Sequence, residues 1–543
     1  MACENQLSVH NPVSCKTPKT EDTNLAMDHS LVWIFLLGAV YWARGARILG
    51  IFPTPSISHQ LPFQTIMKAL AARGHEITVI STDPLKTPVP NYTDVDLSFS
   101  YEHFHASLDF TTMDQSTAYE LVGRMVPVMN KVLEKQFSSS QLQEFIRSNA
   151  TKYDLVFLEA FLYQSYHGLI HLVGSPPVIG ILSLECLWTV GNVMGNPSNP
   201  AFVPEILLSY GNRMTIYERL QNMLFWLWIR YKIYTEWVPE QEAIMRRFFG
   251  LSPPPVIDAE KNISLLMLSS NWVFNYPIPL MPTVVTFHSL HIKSTNDTLP
   301  KDLQTFLDEA EYGVIYFSLG SNVRSDRMPQ EKRHAFLSAF SELPQRILWK
   351  WESDNLPGQP PNVKLGKWFP QQDILAHPNI KLFITQCGLQ SFQEAVYHGV
   401  PMLGIPFIAD QKYNAKKIVT EEIGLQLLFH ELTKETLLTT IKEMINNSKY
   451  RDNIKRISAI SKDEPESSLD RAVWWAEYTI RHKGTKHLRS SAPDLAWYQY
   501  LLLDIVALIF FVFAITICIL YLSLKNVYMY ITGNPYKVKS KHD

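Results

Sequence analysis

The sequence has almost no net charge and little charge of either sign. Lys and Arg total 49 against 51 Asp and Glu in 543 residues, and charged residues make up 18%, below the roughly 25% usual for soluble domains. Without a basic excess there is nothing to neutralise a phosphate backbone, which excludes a nucleic-acid partner. Cysteine is scarce and scattered: Cys3, Cys15, Cys186, Cys387 and Cys518 form no CxxC spacing, so a disulfide framework and a cysteine zinc site are both excluded. No HExxH, GxSxG or Walker pattern stands where its mechanism needs it, which argues against a hydrolase or a P-loop enzyme. Glycine is modest at 22 and proline stands at 34, with 46% hydrophobic residues; collagen, low complexity and general disorder are ruled out.

What is present begins with topology. Leu31 to Ala43 is an uncharged apolar run followed by Ala43-Arg44-Gly45, with small residues where signal peptidase needs them. Residues 1–45 therefore read as a leader and signal, with Met1 and Met27 both open as starts. Ile505 to Leu524 offers 20 residues without a charged side chain, enough at about 1.5 Å each to cross a hydrocarbon core of about 30 Å. Lys525, Lys537, Lys539 and Lys541 follow it, so positive-inside logic puts 525–543 in the cytosol. The sequons at Asn91, Asn149, Asn262, Asn296 and Asn446 all fall before the anchor. Lysines third and fifth from the end resemble a dilysine retrieval signal. The expected location is the endoplasmic reticulum membrane, single-pass type I, with the body of the chain lumenal.

Between the two ends lie two α/β halves. Arg47 to Phe52 and Glu76 to Ser81 read as strands around a helix over Gln60 to Arg73, whose Phe63, Ile66, Met67 and Leu70 stand at core-facing spacing. This is a βαβ unit with parallel pairing. Asp154 to Leu158 is another buried strand, ending at Glu159. Met223 to Ile229 reads as a buried helix, with an acceptor-pocket or membrane-facing segment as the alternative. Prolines at 253–255, 277, 279 and 282 close the first half, and strands at 314–318, 346–349, 381–385 and 402–405 build the second. The divisions are 46–285 and 286–504, with a cleft between. Ligands in such open sheets sit beyond the carboxyl ends of strands.

The densest stretch is Trp368 to Gln411. An indole at Trp368 offers a stacking face, the Gln386 to Ser391 turn opens a helix whose amides favour a phosphate, and Asp410 beside Gln411 can grip sugar hydroxyls. The run "KWFPQQDILAHP" through "LFITQCGLQSFQEAVYHGVPMLGIPFIADQ" resembles the donor-binding signature of the UDP-glycosyltransferases in its insect form. The resemblance implies the glycosyltransferase B fold, two Rossmann-like domains facing across a cleft, with acceptor held by the first and UDP-sugar by the second. It implies that Trp368 stacks the uracil, Gln371 bonds the uridine and Glu394 holds the ribose. Ser318 and Gln390 would touch the diphosphate near Gln386 and Gly388, and Asp410 and Gln411 would hold the sugar. His59, in "PTPSISHQ", resembles the family's catalytic base, and Glu159 stands where many members place its Asp partner.

Three positions depart from the family pattern. Gln386 stands where a histidine is common, Cys387 replaces a glycine and is expected to crowd the diphosphate, and His288-Ser289 replace two glycines in the hinge. Asp94-Val95-Asp96 is a DxD triplet of the metal-binding kind, but it lies beside a sequon and away from the donor stretch. The expectation is a metal-independent, inverting hexosyltransferase without cofactor, using UDP-sugar as co-substrate. It would conjugate small lipophilic acceptors in a detoxification role, with glucose favoured over glucuronate because Gln386 to Gln411 contains no Lys or Arg. A catalytically degenerate membrane-anchored binding protein on the same fold is the alternative, and homo-oligomerisation is left open.

Overall fold

The computed structural model describes residues 45–107, 114–148, 152–185, 188–293 and 299–533. The candidate signal, Cys186, the sequons at Asn149 and Asn296 and the dilysine tail lie outside them.

Seven strands form the first sheet: β1 (Arg47–Phe52), β2 (Glu76–Ser81), β3 (Tyr92–Asp96), β4 (Leu155–Glu159), β5 (Val178–Leu182), β6 (Ile263–Ser269) and β7 (Val284–Phe287). Six form the second: β8 (Val314–Ser318), β9 (Arg346–Lys350), β10 (Val363–Gly366), β11 (Ile380–Thr385), β12 (Met402–Gly404) and β13 (Gly424–Gln426). Their orders are β3-β2-β1-β4-β5-β6-β7 and β10-β9-β8-β11-β12-β13, and neighbouring strands pair in parallel throughout. Helices cover both faces of such sheets, so central strands such as β4, β5 and β8 are buried along their whole length and read as unbroken apolar runs. Strand order reverses between β1 and β4 in the first sheet and between β8 and β11 in the second. Beyond the carboxyl ends of those pairs open the two crevices where ligands bind in this architecture.

Eight helices build the cleft, join the halves or carry the apolar tail: α1 (Ile57–Ala72), α2 (Ala118–Phe137), α3 (Ile216–Lys232), α4 (Gln371–Leu375), α5 (Leu389–His398), α6 (Gln411–Thr420), α7 (Ser468–Arg481) and α8 (Leu503–Thr532). In α1 the spaced apolar residues Phe63, Ile66, Met67 and Leu70 are fully buried, and the chain escapes at Gly74 with φ of 90°, a conformation glycine adopts without Cβ strain. α7 leaves the second half and packs on α1 and β7 of the first. Arg471 donates to the Thr286 carbonyl at 3.2 Å and Glu477 pairs with Arg73 at 2.8 Å.

Three elements differ in extent or burial from the sequence reading. β7 runs across the 285/286 division, so the first sheet ends at Phe287. Helix α3 is buried only on the side of Asn222, Phe225 and Ile229, because its apolar residues occur all round the helix and only one side meets α2. Helix α8 begins at Leu503 and continues past Lys525 to Thr532, beyond the uncharged run, and none of its side chains is buried. By length and composition α8 suits a membrane crossing.

Candidate active site

The two reversal points face each other across a cleft of about 420 Å³. From the first sheet, β1 runs out into Pro53-Thr54 and the start of α1, which carries His59, while β4 ends at Glu159. Adjacent strands β1 and β4 thus bring residues 100 apart in sequence to 2.7 Å, with His59 Nδ1 on Glu159 Oε1. Glu159 is fully buried, and its other oxygen accepts from the Thr54 amide at 3.1 Å. The carboxylate is therefore held from two sides, and its position fixes the imidazole plane. The remaining imidazole nitrogen, Nε2, has no hydrogen-bond partner among the described residues, and His59 lines the cleft. Ile57, Phe104, Met125, Met129, Phe161 and Leu184 supply an apolar wall on this side.

On the second sheet, Ser318 ends β8, and the turn after β11 carries Gln386 to Gly388 and opens α5, which carries Gln390. Gly320 has φ of 75°, and a Cβ there would stand 2.3 Å from Gln386 Nε2, so the amide of Gln386 lies over a backbone that only glycine accommodates. Gln386 Oε1 is buried without a partner, a cost that a ligand donating a hydrogen bond would remove. Gly388 caps α5, and Leu389 and Gln390 at its start line the cleft. Burial pushes Asp410 above the usual carboxylate range, against the bond from Asn414 Nδ2 at 2.8 Å and the pull of His59 when protonated. Asp410 thus stands within electrostatic reach of His59, from the opposite half. Gln411 Oε1 is consumed by the Phe407 and Ile408 amides at 2.8 and 3.0 Å, which leaves its NH2 group to the cleft.

At the far end, Trp368 is 67% exposed although it lines the cleft, an open indole face with the Lys350 ammonium 5.6 Å from its ring. Gln371 starts α4 and donates to Glu394 Oε2 at 2.6 Å and to Ser391 at 3.0 Å. Gln390 reaches the other half, donating to the Ser183 carbonyl at 3.3 Å. All eleven residues singled out from the sequence, except the deeply buried Glu159, line this one cleft.

The crowding expected of Cys387 does not occur. Its φ is 65°, but its side chain is fully buried under β12, where a Cβ on Gly404 would meet the sulfur at 2.5 Å. The cleft side of this turn is left to Gln386 and Gly388. In the altered hinge, the His288 side chain meets Glu464, just before α7, at 2.9 Å, a contact that a glycine could not make, while the Ser289 backbone amide donates to Gln393 of α5 at 3.0 Å as a glycine's would.

Several cleft residues escaped the sequence reading. Tyr316 donates to Gln371 Oε1 at 3.2 Å, Gln372 and His291 each approach Glu394 at 3.3 Å, and Asn322 bridges the cleft to Ser56 at 3.2 Å. Tyr316 sits inside a strand whose apolar pattern hides it, and His291 lies in a linker read only as a hinge. Among the described residues no group of three or more His, Cys, Asp or Glu gathers as a metal site.

Two parallel sheets in Rossmann order, facing across a cleft fed from both reversal points, make up the glycosyltransferase B fold. Solved structures share this fold: a UDP-glucose:anthocyanidin 3-O-glucosyltransferase in complex with UDP superposes with a TM-score of 0.53 at 16% identity, over 81% of this chain and 100% of that one. A family model described as "UDP-glucoronosyl and UDP-glucosyl transferase" matches residues 49–538. The UDP-glycosyltransferase UGT5 of Dactylopius coccus is 35% identical over 91% of this chain and 95% of its own length. UDP-glucuronosyltransferase 2B15 of Rattus norvegicus is 30% identical over 89% and 94%. The chain belongs to the UDP-glucuronosyl and UDP-glucosyl transferase family.

Proposed function

We propose that this protein transfers glucose from UDP-glucose, with inversion, to the hydroxyl of a small lipophilic acceptor. The observation that carries the reading is the His59–Glu159 pair, which leaves one imidazole nitrogen without a protein partner at the cleft that Asp410 also lines. Glu159 accepts the Nδ1–H, which leaves Nε2 unprotonated and aimed at the acceptor. As the acceptor oxygen attacks the anomeric carbon, its proton passes to Nε2 and the bond to UDP breaks on the opposite face. The buried Glu159 charge stabilises the imidazolium that forms. UDP leaves from a seat in which Trp368 stacks the uracil, Gln371 bonds the uridine and Glu394 accepts from the ribose. Ser318, Gln386, Gly388 and Gln390 meet the diphosphate with neutral donors near the start of α5.

Asp410 and the NH2 group of Gln411 hold the sugar hydroxyls. Glucose is favoured because the sugar end carries a carboxylate and an amide rather than a cation. Lys350, which also lines the cleft, lies at the Trp368 end and pairs with Glu352 at 2.7 Å. Apolar Phe104, Met125, Met129 and Phe161 suit a lipophilic acceptor. α8 anchors the protein in the endoplasmic reticulum membrane with both halves lumenal, and the role is conjugation of the detoxifying kind.

The test is incubation of the detergent-solubilised full chain with UDP-glucose or UDP-glucuronate and a panel of phenols and alcohols, following UDP release and conjugate mass. A glucoside that disappears in His59→Ala is the expected result. A glucuronide reverses the donor assignment, and full turnover in His59→Ala removes the base.

A further inference from the structure

Helix α3 is closed at its start by a capping box, with Thr215 and Glu218 satisfying each other's amides, so it is a well-made helix with an unusual outer face. Ile216, Leu220, Met223, Leu224, Leu227 and Tyr231 recur at spacings of three and four, which puts them in a single stripe. Their exposures run from 40 to 78%. The opposite side is buried, where Phe225 meets Tyr119 edge-on at 5.0 Å. An apolar stripe of this length is an interaction surface rather than scattered exposure.

Its end abuts the start of the candidate anchor. Arg230 donates to Asn192 at 2.6 Å, Asn192 donates to the Tyr234 hydroxyl at 3.0 Å, and a Cβ on Gly195 would lie 2.9 Å from Pro493. The Tyr500 hydroxyl is near enough to Arg230 to act on its charge. Between this junction and α8 stand exposed Trp497, Tyr498, Tyr500 and Leu501, amphipathic aromatics of the kind that settle at a membrane–water boundary. Charges on the helix and just past it come close to cancelling, Arg219, Arg230 and Lys232 against Glu218 and Glu236, with Lys232 and Glu236 paired and Arg230 bonded to Asn192. An anionic partner is not what this face selects.

We infer that helix α3 lies in the plane of the membrane with its apolar stripe sunk into the surface of the bilayer, beside the point where α8 enters it. The occupant of the stripe is zwitterionic phospholipid, drawn by apolar contact. This rests on the reading of α8 as an anchor and adds a second membrane contact to it. Because α3 also packs against α2, which carries Met125 and Met129 of the cleft wall, the stripe lies on the acceptor side of the molecule.

The test places photoreactive benzoylphenylalanine singly at Leu224, Ile509 or Glu331 in the full chain, reconstituted in phosphatidylcholine vesicles containing an alkyne-tagged phospholipid. Irradiation is expected to give lipid adducts at Leu224 and Ile509, and none above background at Glu331 of the second half. Adducts at Ile509 without any at Leu224 overturn the inference and leave the anchor standing. No adduct at either position overturns both. A protein–protein adduct at Leu224 assigns the stripe to a second copy of the chain and overturns it as well.

Discussion

Replacing one oxygen by nitrogen at residue 159 probes the base more sharply than removing it. In Glu159→Gln the Thr54 amide still requires an acceptor, so the new amide oxygen turns toward Thr54 and its NH2 group toward His59 Nδ1. The imidazole proton then moves to Nε2, the atom that must receive the acceptor's proton. We expect kcat to fall about 10²- to 10⁴-fold while the affinity for UDP is unchanged; equal turnover in rapid-quench assays would refute the pairing. At the other end of the cleft, Trp368 exposes its indole face without help from neighbouring aromatics. Trp368→Ala is expected to weaken UDP binding by about 1–3 kcal/mol, the range for stacking a base on an aromatic side chain, as read by calorimetry. The melting temperature without UDP should stay close to that of the parent, because an indole this exposed contributes little to the core.

At the scale of elements, the Gly320 turn after β8 and the Gln386 turn after β11 are built against each other. Gly320→Ala would force a Cβ into Gln386 Nε2 at a positive φ, a strain of about 1–3 kcal/mol. Thermal unfolding should register that loss, and UDP affinity should fall with it because the Gln386 amide is displaced from the cleft floor. A variant that melts and binds like the parent would mean the turn re-forms elsewhere. These turns also show what was legible beforehand. Strands β1, β2, β4, β8 and β11 were readable because strands buried on both faces are continuous apolar runs between turn residues. The cleft residues were readable where chemistry sits in a motif, as in Trp368 to Gln411. Tyr316 was not, since a tyrosine in an apolar strand looks like core until its hydroxyl is seen on Gln371. The outer face of α3 was not either: its apolar residues occur all round the helix, and composition cannot say which side finds protein. The direction of the Cys387 side chain depends on a left-handed backbone that residue type does not announce.

For the whole molecule, the joint between the halves contains a carboxyl in an expensive place. Glu185, just past β5, accepts from Tyr413 of α6 at 2.7 Å and from Asn275 at 3.0 Å, both on Oε2. Burial pushes it up from 4.5 to about 7, and its neighbour Glu205 to about 8. A folded-state value above the unfolded one means that the folded chain holds the proton more tightly. The stabilisation is therefore complete below pH 4.5 and is lost as pH rises through 7. Glu185→Gln keeps an oxygen for both donors and cannot ionise. It is expected to raise the melting temperature at pH 8, by an amount on the order of 3 kcal/mol in stability, and to change little at pH 5. A gain of equal size at both values would place the cost elsewhere.

The path of the chain through these halves has one more consequence. The first sheet closes at Phe287, the second is built between Val314 and Gln426, and α7 then crosses back to lie on α1 and β7 before α8 begins. In connectivity the second half is an insert, entered near residue 288 and left near residue 467, inside a unit that owns both the start of the described chain and its apolar tail. Hybrids between relatives made with a single cut at the linker would carry a foreign α7 onto the resident α1, mismatching Arg471 with the Thr286 carbonyl and Glu477 with Arg73. Grafting the insert alone, through two junctions, exchanges the second half and leaves every one of those contacts native.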